Sequence, residues 1–184
     1  MQGLTLKIDK MKKHYLLLIF GLVISLSISA QSKKELKEAE AEKEYQEIKA
    51  LVETGEFDFM ADWATTARGR RINLTTNPNF IKFSKDSIDT YLPYFGSSTS
   101  GGATMTSDGG IECSGPKTKY KVSYNDKKKK IQLAFTTTDN NDTFDFSVTI
   151  FKGGNTNMNV NSNYRTSIKY DGKTTVPKPE KKKP

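Results

Sequence analysis

Four apolar side chains at alternate positions, Phe144, Phe146, Val148 and Ile150, do most to limit how this chain can fold. A period of two puts all four on one side of a strand and Asp145, Ser147 and Thr149 on the other. The same alternation recurs at Tyr120, Val122 and Tyr124, and at Ile131, Leu133 and Phe135. Shorter versions stand at Met158 and Val160 and at Ile168 and Tyr170, the last stopped by Asp171-Gly172. Asn125 to Lys130 and Gly153-Gly154-Asn155 read as turns between neighbouring strands. Strands joined this closely pair antiparallel, with one face packed and one wet.

Upstream the pattern is less even. Phe57, Phe59, Ala61 and Trp63 alternate with Asp58, Met60 and Asp62, a strand buried on one side. Ile72 and Leu74 predict a second short strand and Phe80 to Phe83 a third, with Asn77-Pro78-Asn79 between them. Leu92-Pro93-Tyr94-Phe95-Gly96 reads as an ordered aromatic loop, followed by a Ser/Thr/Gly connection from Ser97 to Gly110. Before the strands, residues 31–55 predict a charged helix. Ser32-x-x-Glu35 has capping-box spacing, Tyr45, Ile48, Leu51 and Val52 form one apolar stripe, and Thr54-Gly55 ends it. The expected fold is α+β: an N-terminal helix packed on an antiparallel β-sheet of about six to eight strands within residues 56–173. Lys- and Pro-rich residues 174–184 are expected to be a disordered tail.

Residues 1–30 have the parts of a secretory signal peptide. Lys12 and Lys13 precede an apolar run from Tyr15 to Ile28, and Ser29-Ala30-Gln31 offers a cleavage step after Ala30. Met11 is the expected start. The run is shorter and more serine-rich than the roughly 20 apolar residues of a membrane span, so no permanent span is expected. A periplasmic or extracellular product follows. A lipoprotein cysteine is missing at the cut, since the single cysteine is Cys113. Without a possible internal disulfide, packing must hold the fold, and Cys113 is either buried or paired with another molecule.

Cleavage would also remove His14, the only histidine. From Gln31 onward no imidazole remains for Ser-His-Asp or Cys-His catalysis, or for the usual zinc and copper sites. No phosphate-binding Gly-rich loop followed by Lys is present. No cofactor and no metal are therefore expected. The mature segment holds 25 Lys and Arg against 20 Asp and Glu, with Lys178, Lys181, Lys182 and Lys183 crowded into the tail. That leaves the folded part nearly neutral and argues against nucleic acid as a partner. Asp58 and Asp62 on one strand lie roughly 13 Å apart, too far for a glycosidase pair, although Asp145 could meet Asp58 from another strand. Asp139, Asn140, Asn141 and Asp142 are oxygen-rich but lack EF-hand spacing, and read as a polar turn.

Two surface features are candidates for binding. Lys127, Lys128, Lys129 and Lys130 at a hairpin tip could hold phosphates of a polyanion, or simply keep a turn solvated. Tyr94 and Phe95 form a contact platform if exposed and a core plug if buried. The leading expectation is an exported non-catalytic domain that binds or scaffolds a ligand or protein of the cell envelope. A carboxylate-dependent hydrolase of envelope glycans or peptides and a polyanion-binding surface protein are the alternatives.

The strand Phe57-x-Phe59-x-Ala61, the loop Leu92 to Gly96 and the step Gly109-Gly110-Ile111 resemble a known family. So does the closing segment Tyr164-Arg165-x-x-Ile168-x-Tyr170-x-Gly172. It is a family of exported Bacteroidetes proteins, domain of unknown function family 4251, and the resemblance covers roughly Phe57 to Gly172. It implies location and fold, and carries over no catalytic residue. Where that family often has a basic residue after the loop glycine, this chain has Ser97, which weakens the idea of a shared anion contact there.

Overall fold

The computed structural model describes residues 33–97, 110–139 and 142–178. The expected leader, His14, Ser32, most of the Ser/Thr/Gly connection and the end of the expected tail lie outside them. The chain divides after Ala41 into two compact units. Of the first, the described residues 33–41 are helical. The second begins with helical residues 42–54, here α1, and continues as ten strands.

These strands are β1 Phe57–Thr66, β2 Arg71–Asn73, β3 Phe80–Phe83, β4 Ser87–Leu92 and β5 Ile111–Pro116, then β6 Thr118–Asn125, β7 Lys130–Asp139, β8 Asp142–Phe151, β9 Asn155–Ser162 and β10 Ile168–Thr175. All pair antiparallel in the order β5-β4-β3-β1-β10-β9-β8-β7-β6, with β2 beside the far half of β1. The sheet curls back on itself. Phe83 of β3 and Phe135 of β7 are five strand intervals apart, about 24 Å along the sheet, yet their ring centroids are 5.5 Å apart. Phe57 stacks on Phe83 at 4.2 Å and Phe146 on Phe135 at 4.7 Å, so four rings bridge the interior. β5 comes against β7 without a hydrogen-bonded ladder, leaving a seam in a nearly closed barrel.

This corrects the expected α+β sheet of six to eight strands. The two unforeseen strands are β4 and β5. In β4 the inward positions are Ile88, Thr90 and Leu92, and the buried threonine breaks the apolar alternation. Leu92, expected in a loop, ends this strand and is fully buried. β5 has only Ile111 and Cys113 facing inward before Gly115-Pro116. Cys113 is buried. β10 runs past the Asp171-Gly172 stop, so Thr174 and Thr175 belong to the sheet rather than to the tail.

β1 is the central strand and is locally irregular. A bulge between Ala61 and Trp63 shifts its register against β10. Gly172 sits opposite, where an added Cβ would lie 2.0 Å from the Met60 carbonyl oxygen. On the other side, β3 covers Phe57 to Phe59 and β2 covers Trp63 to Thr65, leaving Ala61 between them. Buried Asn79 fills that gap: its Oδ1 accepts from the Ala61 amide at 2.6 Å and its Nδ2 donates to the Ala61 carbonyl at 3.0 Å. A side-chain amide thus replaces two ladder bonds that burial would otherwise leave unmade.

Helix α1 does not lie on a sheet face or edge. Tyr45, Ile48 and Val52 enter the core at the barrel end formed by the β6–β7 and β8–β9 turns. Tyr45 Oη donates to Asp126 Oδ1 at 2.7 Å, and Lys49 Nζ reaches the same oxygen at 3.0 Å. Lys129 pairs with Glu42, and Lys152 with Glu44 at 3.4 Å. Gly55, with φ +73°, ends the helix in a conformation that suits glycine. The hydrogen bonds from Tyr45 and then Lys49 hold the Asp126 carboxyl below its ordinary range. A carboxyl depressed by folding contributes stability above its unfolded pKa, and that contribution is lost as pH falls through the lower folded value. The melting temperature is therefore expected to fall as pH drops below about 4. The Asp126→Asn variant should be less stable at neutral pH and show a shallower acid decline in a series of thermal melts.

Candidate functional site

The other end of the barrel gathers the polar side chains. β4 ends at Leu92, and the following loop is anchored by tyrosines. Tyr170, fully buried on β10, donates to the Pro93 carbonyl at 2.8 Å, and burial pushes its hydroxyl pKa upward. Tyr94 Oη donates toward the Thr166 carbonyl at 2.9 Å and the Ser97 carbonyl at 3.0 Å. Gly96 is required by this approach, because a Cβ there would stand 2.2 Å from Tyr94 Oη.

Arg165, in the β9–β10 connection, passes under the same loop. Its guanidinium lies 5.3 Å from the Tyr94 ring centroid and 5.8 Å from that of Phe144. One Nη donates to the Gly110 carbonyl at 2.8 Å. Its Nε faces Asp142 Oδ2 at 3.9 Å, and the two side chains are only 6% and 5% exposed. Asp142 also takes the Ser162 hydroxyl, at 2.7 and 2.9 Å from its two oxygens. Ser162 Oγ in turn accepts the Tyr164 and Arg165 amides. A dry carboxylate–guanidinium pair is stable only where hydrogen bonds satisfy its remaining groups. Here the Ser162 hydroxyl and the Gly110 carbonyl supply them in part, while Arg165 Nε finds no hydrogen-bond partner among the described residues. The pair still ties the ends of three loops to one another.

The expected site residues fall in different places. Tyr94 is half-buried and bonded to Ser97 of its own loop and to Thr166 of the β9–β10 connection, whereas Phe95 is 38% exposed beside it. The four lysines do not form one patch. Lys127 and Lys128 are exposed in a short 3-10 turn, Lys129 turns back to Glu42, and Lys130 is half-buried at the start of β7. Asp58 and Asp145 stand on strands three intervals apart, about 14 Å along the sheet. Each has its own partner, the Lys178 amide and the Thr136 hydroxyl. Asp142 is the residue the sequence misplaced. It reads as part of a polar turn, but its burial depends on Ser162 and Arg165, which only the folded register brings to it. Among the described residues no group of three or more His, Cys, Asp or Glu side chains could hold a metal ion.

Fold and site together define a class: a nearly closed antiparallel sheet, capped by a helix at one end and tied by buried polar groups at the other. The sequence pattern of the domain of unknown function DUF4251 matches residues 39–174, and the chain belongs to that family. A crystal structure of a DUF4251 family protein from Bacteroides eggerthii DSM 20697 is similar in fold, with a TM-score of 0.56 at 17% identity, covering 75% of this chain and 91% of that one. No curated protein matches the chain. The segments that carry the resemblance meet in three dimensions through Tyr170 and Pro93, Arg165 and Gly110, and Gly172 and Ala61. Removing one member of the buried pair, as in Arg165→Ala, is expected to cost about 3–5 kcal/mol in urea unfolding. The double variant Arg165→Met with Asp142→Leu should recover much of that loss.

Proposed function

We propose that this chain is an exported, non-catalytic binding or scaffolding domain of the cell envelope. The observation that supports this reading is how the polar side chains are used. Arg165, Asp142, Ser162 and Tyr94 are engaged with one another and with loop backbone. The interior between the strands is taken up by packed rings and aliphatic side chains. Ser162 does stand beside the Asp142 carboxylate, but its oxygen accepts two backbone amides and Asp142 faces Arg165. Both groups are thus taken up by framework contacts rather than left for acid–base or covalent chemistry. What does face outward at this end is Phe95, on a loop held rigid by Tyr94. A pre-ordered aromatic side chain is suited to contact because little entropy is lost on binding. The alternative of a carboxylate hydrolase is not supported by Asp58 and Asp145, which stand three strand intervals apart with separate partners, and the lysine tip loses Lys129 to Glu42. Export rests on the leader pattern of residues 1–30.

Immobilised protein should capture a discrete component from an envelope extract. Phe95→Ala should reduce that capture at least tenfold with an unchanged melting temperature. Absence of capture by the wild type, or equal capture by Phe95→Ala, would contradict this reading.

A further inference from the structure

The outward face of the sheet carries a second arrangement that packing does not use. Along β9 the alternation sends Thr156, Met158 and Val160 inward and Asn155, Asn157, Asn159 and Asn161 outward. Asparagine is a poor strand former, and four in succession on one face serve no interior need. Asn157 donates to Asp171. The other three amides have no side-chain partner among the described residues.

Strand register extends this face in both directions. Arg71, Thr65, Lys169, Asn159 and Ser147 form one cross-strand row from β2 to β8. Asn73, Trp63, Asp171, Asn157 and Thr149 form the next. Trp63 is the only tryptophan of the chain, and the Arg71 guanidinium lies 4.5 Å from its ring centroid. Toward β7 and β6 the same rows run into an open depression of about 300 Å³, lined by Lys121, Ser123, Gln132, Ser147 and Thr149 among others. The one carboxylate of these two rows, Asp171, is already engaged by Asn157 and lies 4.0 Å from Arg71.

Amides and hydroxyls at strand spacing offer donors and acceptors together, which is what a ligand rich in hydroxyl groups requires. The indole edge adds apolar contact, and Arg71, Lys169 and Lys121 favour carboxylate or phosphate groups. Followed around the curled outer surface, the rows run about 24 Å from β2 to β7, so a chain of several linked sugar rings would have to follow that curve. We propose that this face binds a carbohydrate chain bearing anionic groups, laid across the strands. The proposal rests on the binding-domain reading and adds a ligand class and a location to it.

The test is a titration of isotope-labelled protein with oligogalacturonate, followed by NMR, with neutral dextran oligosaccharide and inorganic polyphosphate as comparison probes. Oligogalacturonate should shift the side-chain amides of Asn159 and Asn161 and the Trp63 indole. Asn159→Leu and Lys169→Ala should each weaken it at least fivefold without changing the melting temperature. Dextran should bind at least tenfold more weakly, and any polyphosphate binding should be insensitive to Asn159→Leu. No shift on this face, or oligogalacturonate binding that survives Asn159→Leu, overturns the proposal. Capture of an envelope component that persists in Asn159→Leu, alongside a silent titration, removes this site and leaves the broader binding reading standing.

Discussion

The contact between Phe83 and Phe135 makes a long ribbon into a closed body. Hydrogen bonds hold each strand to its sequence or sheet neighbour, but no ladder joins β5 to β7. Closure therefore rests on side chains and on Lys117, the single residue by which the chain passes from β5 at one margin to β6 at the other. The edge-to-face approach of these rings at 5.5 Å, extended by Phe57 and Phe146, ties the first strands of the sheet to the last. Aromatic pairs of this kind add about 0.5–1.5 kcal/mol beyond the area they bury. Lys117 sits where the seam opens, with its ammonium 5.7 Å from the Phe83 ring and 4.8 Å from that of Tyr120, and burial lowers its pKa.

Once the sheet is curled, its two ends need different treatment. At the end where strands turn at Asp126 and Lys152, the apolar stripe of α1 covers the core. At the other end loops must do this, and loops carry backbone groups that demand partners. Tyr170, Tyr94 and Arg165 meet that demand by reaching the carbonyls of Pro93, Thr166 and Gly110. Tyr94, Arg165 and Tyr170, which lie in the segments that carry the resemblance, are thus among those that cover this end of the barrel. Their chemistry is that of a framework. Under the proposed binding role, recognition falls to the surface, where side chains are free of packing.

How much of this could be read in the sequence depended on whether a signal was local. β8 was legible because Phe144 to Ile150 sort cleanly between two faces. β4 was hidden by Thr90, an inward hydroxyl that finds no hydrogen-bond partner among the described residues, and β5 by the brevity of Ile111 and Cys113 as an apolar pattern. With two strands missed, a closed architecture could not be inferred. The same limit applied to the site. Tyr94 and Phe95 stood out as an aromatic pair, but only the register shows that one is tied down and the other exposed. Arg165 and Asp142 are 23 positions apart and each is ordinary in its own segment. By contrast, the outward asparagines of β9 were already visible as a period-two pattern, once attention moves from its apolar half to its polar one.

Closure by packing rather than by hydrogen bonding is tested most directly by native-state hydrogen exchange on Phe135→Leu, which removes the ring and keeps an apolar side chain. Amides of β3 and β5 should lose protection together with those of β7, because the two margins of the sheet hold each other in place. Loss confined to β7 and its bonded neighbours β6 and β8, with β3 and β5 protected as in the wild type, would contradict this account.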